Sequence, residues 1–521
     1  MRSERFPFMF SLKVVFVREI FETFYIFLNT INPDSMKNLV RFFLPLVFSF
    51  GAAGQPYLSW EDSLGTANTD YFARLTIDQS GRLFASGLSR LSGQWHMVSM
   101  EYNAAGQRVS TDWSGVYSYS VRDMVRDNSG NIYVTGTGIN SIGIYTAKYD
   151  TAGVLIWSHL YHGPDSIIDD GRAIVLDAAG NVCVTGYVTV ANISHYVVLK
   201  YDNSGQLLWD VMDNWGISSA AYGITTDAAG NIYVCGGAIT LSSNSSQVFA
   251  TAKYSSSGQL LAANTGYLPA NVFGEARDIS VDASQQVYIT GFASPGISGG
   301  TADIYTLKLD TALQSLWLES YDSFGGQTGC QDEAYDLTLD NAGNVYVTGW
   351  VQTDTASGNN LHDVLVIKYD NAGNELWHTV RGHANSGDYS TDILVDPVTQ
   401  KIYVSGGWRN NVTNTDDFRV ICWCQTLPCS EFAGLPETAQ DEALQIFPNP
   451  ASGVTTIRLS EGIQNAALEI FDARGSLLEK RNVISGTMTV DVSAYGEGLY
   501  LLVLRDSRGM LGRKLLIKAN D

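Results

Sequence analysis

The sequence predicts an all-β protein: a seven-bladed β-propeller with four-stranded blades, followed by a small C-terminal β-sandwich. Three observations carry that prediction. A ten-residue phrase recurs seven times, with its leading Asp at 78, 127, 177, 227, 282, 340 and 396, so successive copies lie 49, 50, 50, 55, 58 and 56 residues apart. A period of roughly 40–50 residues made of short strands is that of a propeller blade. Each copy sits among alternating apolar stretches separated by turn residues. The composition agrees, with 50 Gly, 11% aromatics and only 16% charged residues, a balance that suits strands and turns.

From the N-terminus, residues 1–35 read as a non-native extension and 36–54 as a signal peptide. Met36-Lys-Asn-Leu-Val-Arg41 is basic, Phe42 to Phe50 is apolar, and Gly51-Ala52-Ala53-Gly54 offers small residues for cleavage. The apolar run is shorter than the ~20 residues that span a bilayer. Translation is therefore expected to start at Met36, and N-terminal sequencing of the precursor checks this: a chain beginning at Met1 contradicts it. The competing reading makes Phe6 to Phe27 an amphipathic or membrane anchor, interrupted by Lys13, Arg18, Glu19 and Glu22.

Residues 55–424 form the expected propeller. In the copy at Asp340, Ala334 to Asp340 alternates, Asn341-Ala-Gly343-Asn344 turns, and Val345 to Gly349 returns as a second strand. Asp accepts hydrogen bonds from such a turn and Gly supplies its left-handed residue. Asp363 to Asp370 is a third strand and Glu375 to Val380, with Trp377, a fourth. The second turn and its Trp recur at Lys148-Tyr149-Asp150 with Trp157, at Lys200-Tyr201-Asp202 with Trp209, and at Lys308-Leu309-Asp310 with Trp317; after Lys253-Tyr254, Ala262 stands in the Trp slot. The last repeat supplies only three strands, ending near Trp423. Tyr57-Leu-Ser-Trp60 looks like its missing fourth strand, so residues 57–64 are expected to close the ring and remove an exposed edge.

Residues 425–443 read as a linker and 444–521 as a separate module of five or more short strands, the length and pattern of a small sandwich. Acids and bases nearly balance from residue 444 onward, so the repeats carry almost all of the net charge of −21. That charge argues against a nucleic-acid partner, which needs a basic face.

The tail resembles the type A C-terminal sorting domain of type IX secretion cargo in Bacteroidota. The match rests on Phe447-Pro448-Asn449-Pro450, Leu468-Glu-Ile-Phe-Asp472 with Gly475, Leu499-Tyr500 and Arg513-Lys514-Leu-Leu-Ile517. Tyr495-Gly-Glu-Gly498 lacks the Pro common in that stretch. The resemblance implies export through the type IX machinery after signal-peptide cleavage. The product is then released or held at the outer-membrane cell surface, with no transmembrane anchor in the mature chain. The repeats also resemble a bacterial seven-bladed propeller repeat family, which implies no single activity.

Candidate chemistry is sparse. No phosphate loop or His-Glu-x-x-His occurs. The repeated Asp, Lys and Trp residues read as turn chemistry, stems laid on neighbouring blades, and inter-blade packing. Of six Cys, Cys183 and Cys235 fall in strands. Cys422, Cys424 and Cys429 cluster where the repeats end, and an exported chain permits a disulfide there. Asp70, Asp169, Asp170, Glu275, Asp332, Glu333 and Asp388 precede the first strands and are expected at one mouth of the ring; without a dense Asp-x-Asp-x-Asp loop the leading reading is a solvated acidic rim, and the competing one a calcium site. Trp350 and Trp408 read equally as sugar-stacking or as packing residues. The expected function is a secreted or cell-surface, non-catalytic binding or scaffold protein, monomeric, with a glycan, protein or ion as ligand. The alternative is a secreted polysaccharide hydrolase or lyase using rim acids.

Overall fold

The structure is a computed structural model. It describes residues 55–425 and 444–518, apart from short stretches between strands such as 65–69, 241–246, 296–301, 324–330, 355–360 and 448–452. The extension, the signal peptide and nearly all of the 425–443 linker lie outside the described residues.

Among the described residues the secondary structure is entirely β. Residues 55–425 hold seven antiparallel four-stranded sheets. Blades 1 to 6 span 70–117, 120–161, 169–213, 218–264, 272–321 and 332–381, each strand pairing with the next in sequence. Blade 7 takes three strands from 388–424, and its fourth is Tyr57–Leu64. The register runs from Tyr57 opposite Cys424 to Leu64 opposite Phe418. The innermost strands contact one another cyclically, blade 7 against blade 1 included, so the ring is closed as the strand tally required.

The phrase is turn chemistry. Asp127 accepts the amides of Ser129 (2.9 Å) and Asn131 (2.8 Å), and its second oxygen accepts the Asn131 side-chain amide (2.8 Å). Gly130 closes the turn at φ 87°. The same oxygen of Asp127, Asp227, Asp282 and Asp340 accepts the hydroxyl of the Tyr six residues on, at 3.0–3.2 Å. The repeated Lys ammonium lies over that Tyr ring, 4.8–5.1 Å from its centroid in four blades. It reaches the next blade as well: Lys200 to Ser256 O at 3.2 Å and Lys253 to Gln285 at 3.1 Å, while Lys148 bonds Asn203. In blade 3 Cys183 replaces the Tyr, and Lys200 pairs with Asp177 directly at 2.9 Å.

The Trp residues join blades, as their recurrence predicts. Trp157, Trp209 and Trp317 donate their indole N–H to Asn203, Ser256 and Asn371 carbonyls of the following blade at 3.1–3.2 Å. Each covers a turn Gly so closely that a Cβ on Gly205, Gly258 or Gly373 would meet the indole at 2.7–3.0 Å. Trp60 repeats this against blade 1: it stacks on Tyr102 at 5.2 Å and covers Gly106. Blade 4 inverts the arrangement. Ala262 holds the Trp slot, and the facing turn of blade 5 carries fully buried Leu313 at φ 62° in place of Gly. Both packed the same way, large on small, with the partners exchanged.

Cys183 and Cys235 are buried in strands, and Cys424 is disulfide-bonded. In 444–518, a three-stranded sheet and a four-stranded sheet share one apolar cluster that includes Ile457, Leu468, Ile470, Val490, Leu502 and Leu504.

Candidate functional site

Counting back from each turn Asp sorts the inner-strand side chains into rings. The acids eight residues before it are structural. Asp169 is fully buried and accepts the amides of Gly163 (2.9 Å) and Thr189 (3.3 Å). Asp332, 2% exposed, accepts the Ser323 amide (2.7 Å) and hydroxyl (2.9 Å) and the Gln352 amide (3.3 Å). Asp388 is buried and ion-paired with buried Arg419 at 3.2 Å, which also binds Glu61 of the closing strand at 2.7 Å. The Asp70 side chain lies outside the described residues.

Four residues before the turn Asp, the inner strands carry Arg74, Asp123, Ala173, Gly223, Asp278, Asp336 and Asp392 in blades 1 to 7. A β-bulge just ahead of this position sets its direction in every blade. The Asp of one blade accepts the backbone amide of the next: Asp123 from Ile174 (2.8 Å), Asp278 from Leu337 (3.0 Å), Asp336 from Ile393 (2.7 Å) and Asp392 from Leu75 (2.5 Å). Arg74 gathers three of them, at 2.6 Å from Asp123, 2.8 Å from Asp392 and 3.4 Å from Asp336. Burial works against its charge, and these carboxylates outweigh burial, so its pKa rises. Burial pushes Asp278 up to about 6, against the pull of Arg74. It pushes Asp336 up as well, helped by the Asp278 and Asp392 charges. This ring closes the axis with its own charges.

The remaining acids belong to a third feature. Seven residues before the turn Asp, blades 3, 5 and 6 carry Asp170, Glu275 and Glu333, each directly across from an aromatic of the second strand: Tyr187, Phe292 and Trp350. In blades 2 to 6 the bulged residue is Arg122, Arg172, Tyr222, Arg277 and Tyr335 in turn. Bulges re-aim side chains, and here they build a continuous arc. Arg172 lies over Tyr187 (5.5 Å) and Tyr222 (5.6 Å). Arg277 lies over Tyr222 (5.1 Å), Phe292 (5.1 Å) and Tyr335 (5.7 Å). Each is within cation–π range.

The carboxylates pair into the same arc. Asp170 binds Arg172 at 2.9 Å and Arg122 at 3.5 Å, Glu275 binds Arg277 at 2.5 Å, and Glu333 accepts the Tyr335 hydroxyl at 2.9 Å. The three Arg side chains keep 43%, 27% and 23% of their surface in solvent. Blade 4 contributes only Ala220 and Gly237 beside Tyr222, so both guanidiniums reach one ring. Burial raises the Tyr222 and Tyr335 phenols to about 12 and pushes Glu333 up.

The structure thus divides the six rim acids whose side chains it describes. Asp169, Asp332 and Asp388 are buried in structural roles, and Asp170, Glu275 and Glu333 face the arc with partners. Among the described residues, no three His, Cys, Asp or Glu are grouped to hold a metal ion. Trp350 is only 9% exposed and lies against His362 at 4.1 Å; Trp408 is half-buried. Sequence reasoning missed Arg74, Arg122, Arg172, Tyr222, Arg277 and Tyr335. Their signal was present as variation between repeats at two fixed positions before the turn Asp.

The family described as "Secretion system C-terminal sorting domain" matches residues 445–518. Residues 445–518 are a type IX sorting domain. Of the sorting-motif residues, Pro448, Asn449, Pro450 and Gly475 lie outside the described residues. Leu499 and buried Tyr500 sit on strand Gly498–Asp506, and Lys514 on Gly509–Lys518. The sorting domain marks the chain for secretion by the type IX route and implies a Bacteroidota source. The whole chain has no match among curated proteins. Solved structures similar to it include a protein of unknown function from Dyadobacter fermentans, 10% identical, covering 71% of this chain and 98% of that one with TM-score 0.42. PorZ, a surface component of the type IX secretion system of Porphyromonas gingivalis, is 14% identical and covers 86% and 70% with TM-score 0.33. The polysaccharide lyase Uly1 is 9% identical and covers 71% and 100% with TM-score 0.42.

Proposed function

We propose that the protein is an exported, non-catalytic binding propeller whose ligand seats on the Arg–aromatic arc of blades 2 to 6. The sorting domain supports delivery to the cell surface or the medium. The arc is the observation that carries the binding reading. Elsewhere in the ring, the repeat positions are used for turns, blade joints and axial staples. In the arc, three guanidiniums are held in place by rings and carboxylates and still meet solvent. Fixed polar groups beside aromatic surface are what small-ligand and glycan sites share.

The same groups speak against turnover. A tyrosine acting as base near neutral pH needs a lowered pKa, and burial moves Tyr335 the other way, to about 12. Asp169 and Asp332, the acids a hydrolase would recruit, already accept backbone amides. The test is retention of the full chain on an oligosaccharide and protein array, alongside a reducing-end and unsaturated-product assay. Wild type is expected to bind without releasing product, and Arg172→Ala/Arg277→Ala to lose binding. Product release that stops on substituting Glu333 contradicts the non-catalytic reading.

A further inference from the structure

We infer that the arc recognises a neutral, polyhydroxylated glycan rather than a polyanion; this rests on the binding reading above and names its ligand class. The charges of the arc cancel. Arg122 and Arg172 share Asp170, Arg277 pairs with Glu275, and Glu333, hydrogen-bonded to Tyr335, brings the arc to three acids against three Arg. No net positive field remains to attract a uronate or sulfated chain. The whole chain carries a formal charge of −21, which repels polyanions as they approach.

What remains is a strip of directed hydrogen-bonding groups. A guanidinium has five N–H donors in a rigid fork. Arg172 pairs through Nε with Asp170 and also hydrogen-bonds Tyr187, and Arg277 pairs through Nη2 with Glu275. Contacts with the Tyr187, Tyr222, Phe292 and Tyr335 rings hold the two guanidiniums, and the 27% and 23% of each side chain left in solvent carries the donors open to a ligand. The adjoining carboxylates supply acceptors. Donor forks alternating with acceptors suit vicinal hydroxyls, each of which both donates and accepts. The order Tyr187, Arg172, Tyr222, Arg277, Tyr335 follows blades 3 to 6, so the strip is extended and suits several sugar units in line. Tyr222 is a positioning residue here, because its ring holds both guanidiniums.

Calorimetry of the full chain tests this, using neutral hexose oligosaccharides (gluco-, manno- and galacto-configured), an oligogalacturonate and a sulfated oligosaccharide, each at low and high NaCl. A neutral oligosaccharide is expected to bind with an affinity that changes less than about twofold with salt, since no net charge is neutralised. Tyr222→Leu is expected to weaken it about tenfold or more, and Tyr222→Phe, which keeps the ring, to retain it. Arg277→Lys keeps the charge and loses the fork, so it should weaken a diol ligand by about tenfold while sparing a polyanion. Thermal melts of each variant confirm that the propeller is folded. Binding of an acidic oligosaccharide with steep salt dependence, lost in Tyr222→Leu, overturns the neutral ligand class and leaves the site standing. Binding of a neutral glycan that ignores Tyr222→Leu and Arg277→Lys overturns both. Absence of binding by every neutral oligosaccharide overturns the inference.

Discussion

Trp60→Ala tests ring closure at a single side chain. Trp60 lies on the strand that the N-terminal segment lends to blade 7. It stacks on Tyr102 of blade 1 at 5.2 Å, sits 6.0 Å from Tyr403 within its own blade, and covers Gly106. The same strand sends Asp62 to the Tyr102 hydroxyl at 2.9 Å and Glu61 to Arg419 at 2.7 Å and Arg381 at 3.1 Å. Truncating a buried Trp costs about 3–5 kcal/mol, and Trp60 is half-buried, so about 3 kcal/mol is expected. Roughly 370 propeller residues at about 2.1 cal/mol/K each give an unfolding entropy near 0.8 kcal/mol/K, so the melting temperature should fall by about 4 °C. Calorimetric or fluorescence melts measure it, with Leu58→Ala as control because Leu58 on the same strand is 44% exposed. Equal, sub-degree shifts for the two variants would refute the closing role of this strand.

The blade 4–5 joint predicts a double-mutant cycle. Ala262→Trp alone should overpack against Leu313 and cost about 1–3 kcal/mol, and Leu313→Gly alone should cost about 2–4 kcal/mol, net of relieved φ strain. Together they recreate the Trp-over-Gly joint, so a favourable coupling of about 1–3 kcal/mol is expected from denaturant melts, and strict additivity would contradict the exchange. Gly205→Ala should lose more stability than Gly81→Ala: both glycines have positive φ, but a Cβ at 205 meets Trp157 at 2.7 Å while one at 81 meets nothing within 4 Å. On the axis, the raised Asp278 pKa of about 6 means its protonated form stabilises the fold. That contribution is complete below an unfolded value near 4 and is lost as pH rises through about 6. Asp278→Asn should therefore be more stable than wild type at pH 7 and lose less stability between pH 4 and 6, with Asp336, whose pKa is also raised, keeping part of the slope; equal pH slopes would count against it. Glu61 has the opposite sign. Burial raises its pKa, but the Arg419 and Arg381 guanidiniums hold it below the usual value. Its contribution is present above about pH 4.5 and falls away as pH drops through the lowered pKa, and Glu61→Gln should remove that acid-side loss in a pH series of melts.

The architecture was legible because propeller repeats restate themselves. Asp127, Gly130 and Asn131 name a turn by chemistry that requires no tertiary context, and the three strands of the last repeat, short of a Trp-bearing fourth, pointed to Tyr57–Leu64 as the closing strand. The site was less legible because it depends on register. Asp169 and Asp170 are neighbours in sequence, yet one is sealed by the Gly163 and Thr189 amides and the other pairs with Arg172 and Arg122. Side chains alternate along a strand, so these two must point apart. A bulge then decides that Arg172, Tyr222 and Arg277 fall into one arc while Arg74 and Asp336 meet on the axis. No motif announces a bulge. Trp350 was open to stacking or packing for a related reason: it lies on the second strand of blade 6, and its contact with His362 comes from the pairing of that strand with the third.

A crystal structure of the full chain with a bound neutral oligosaccharide tests the central claim most directly. Sugar density along Arg172, Tyr222 and Arg277, with vicinal hydroxyls within about 3 Å of guanidinium nitrogens, is the predicted result. Density on the outer strands or at the opposite end of the ring, with the arc unchanged, would contradict it.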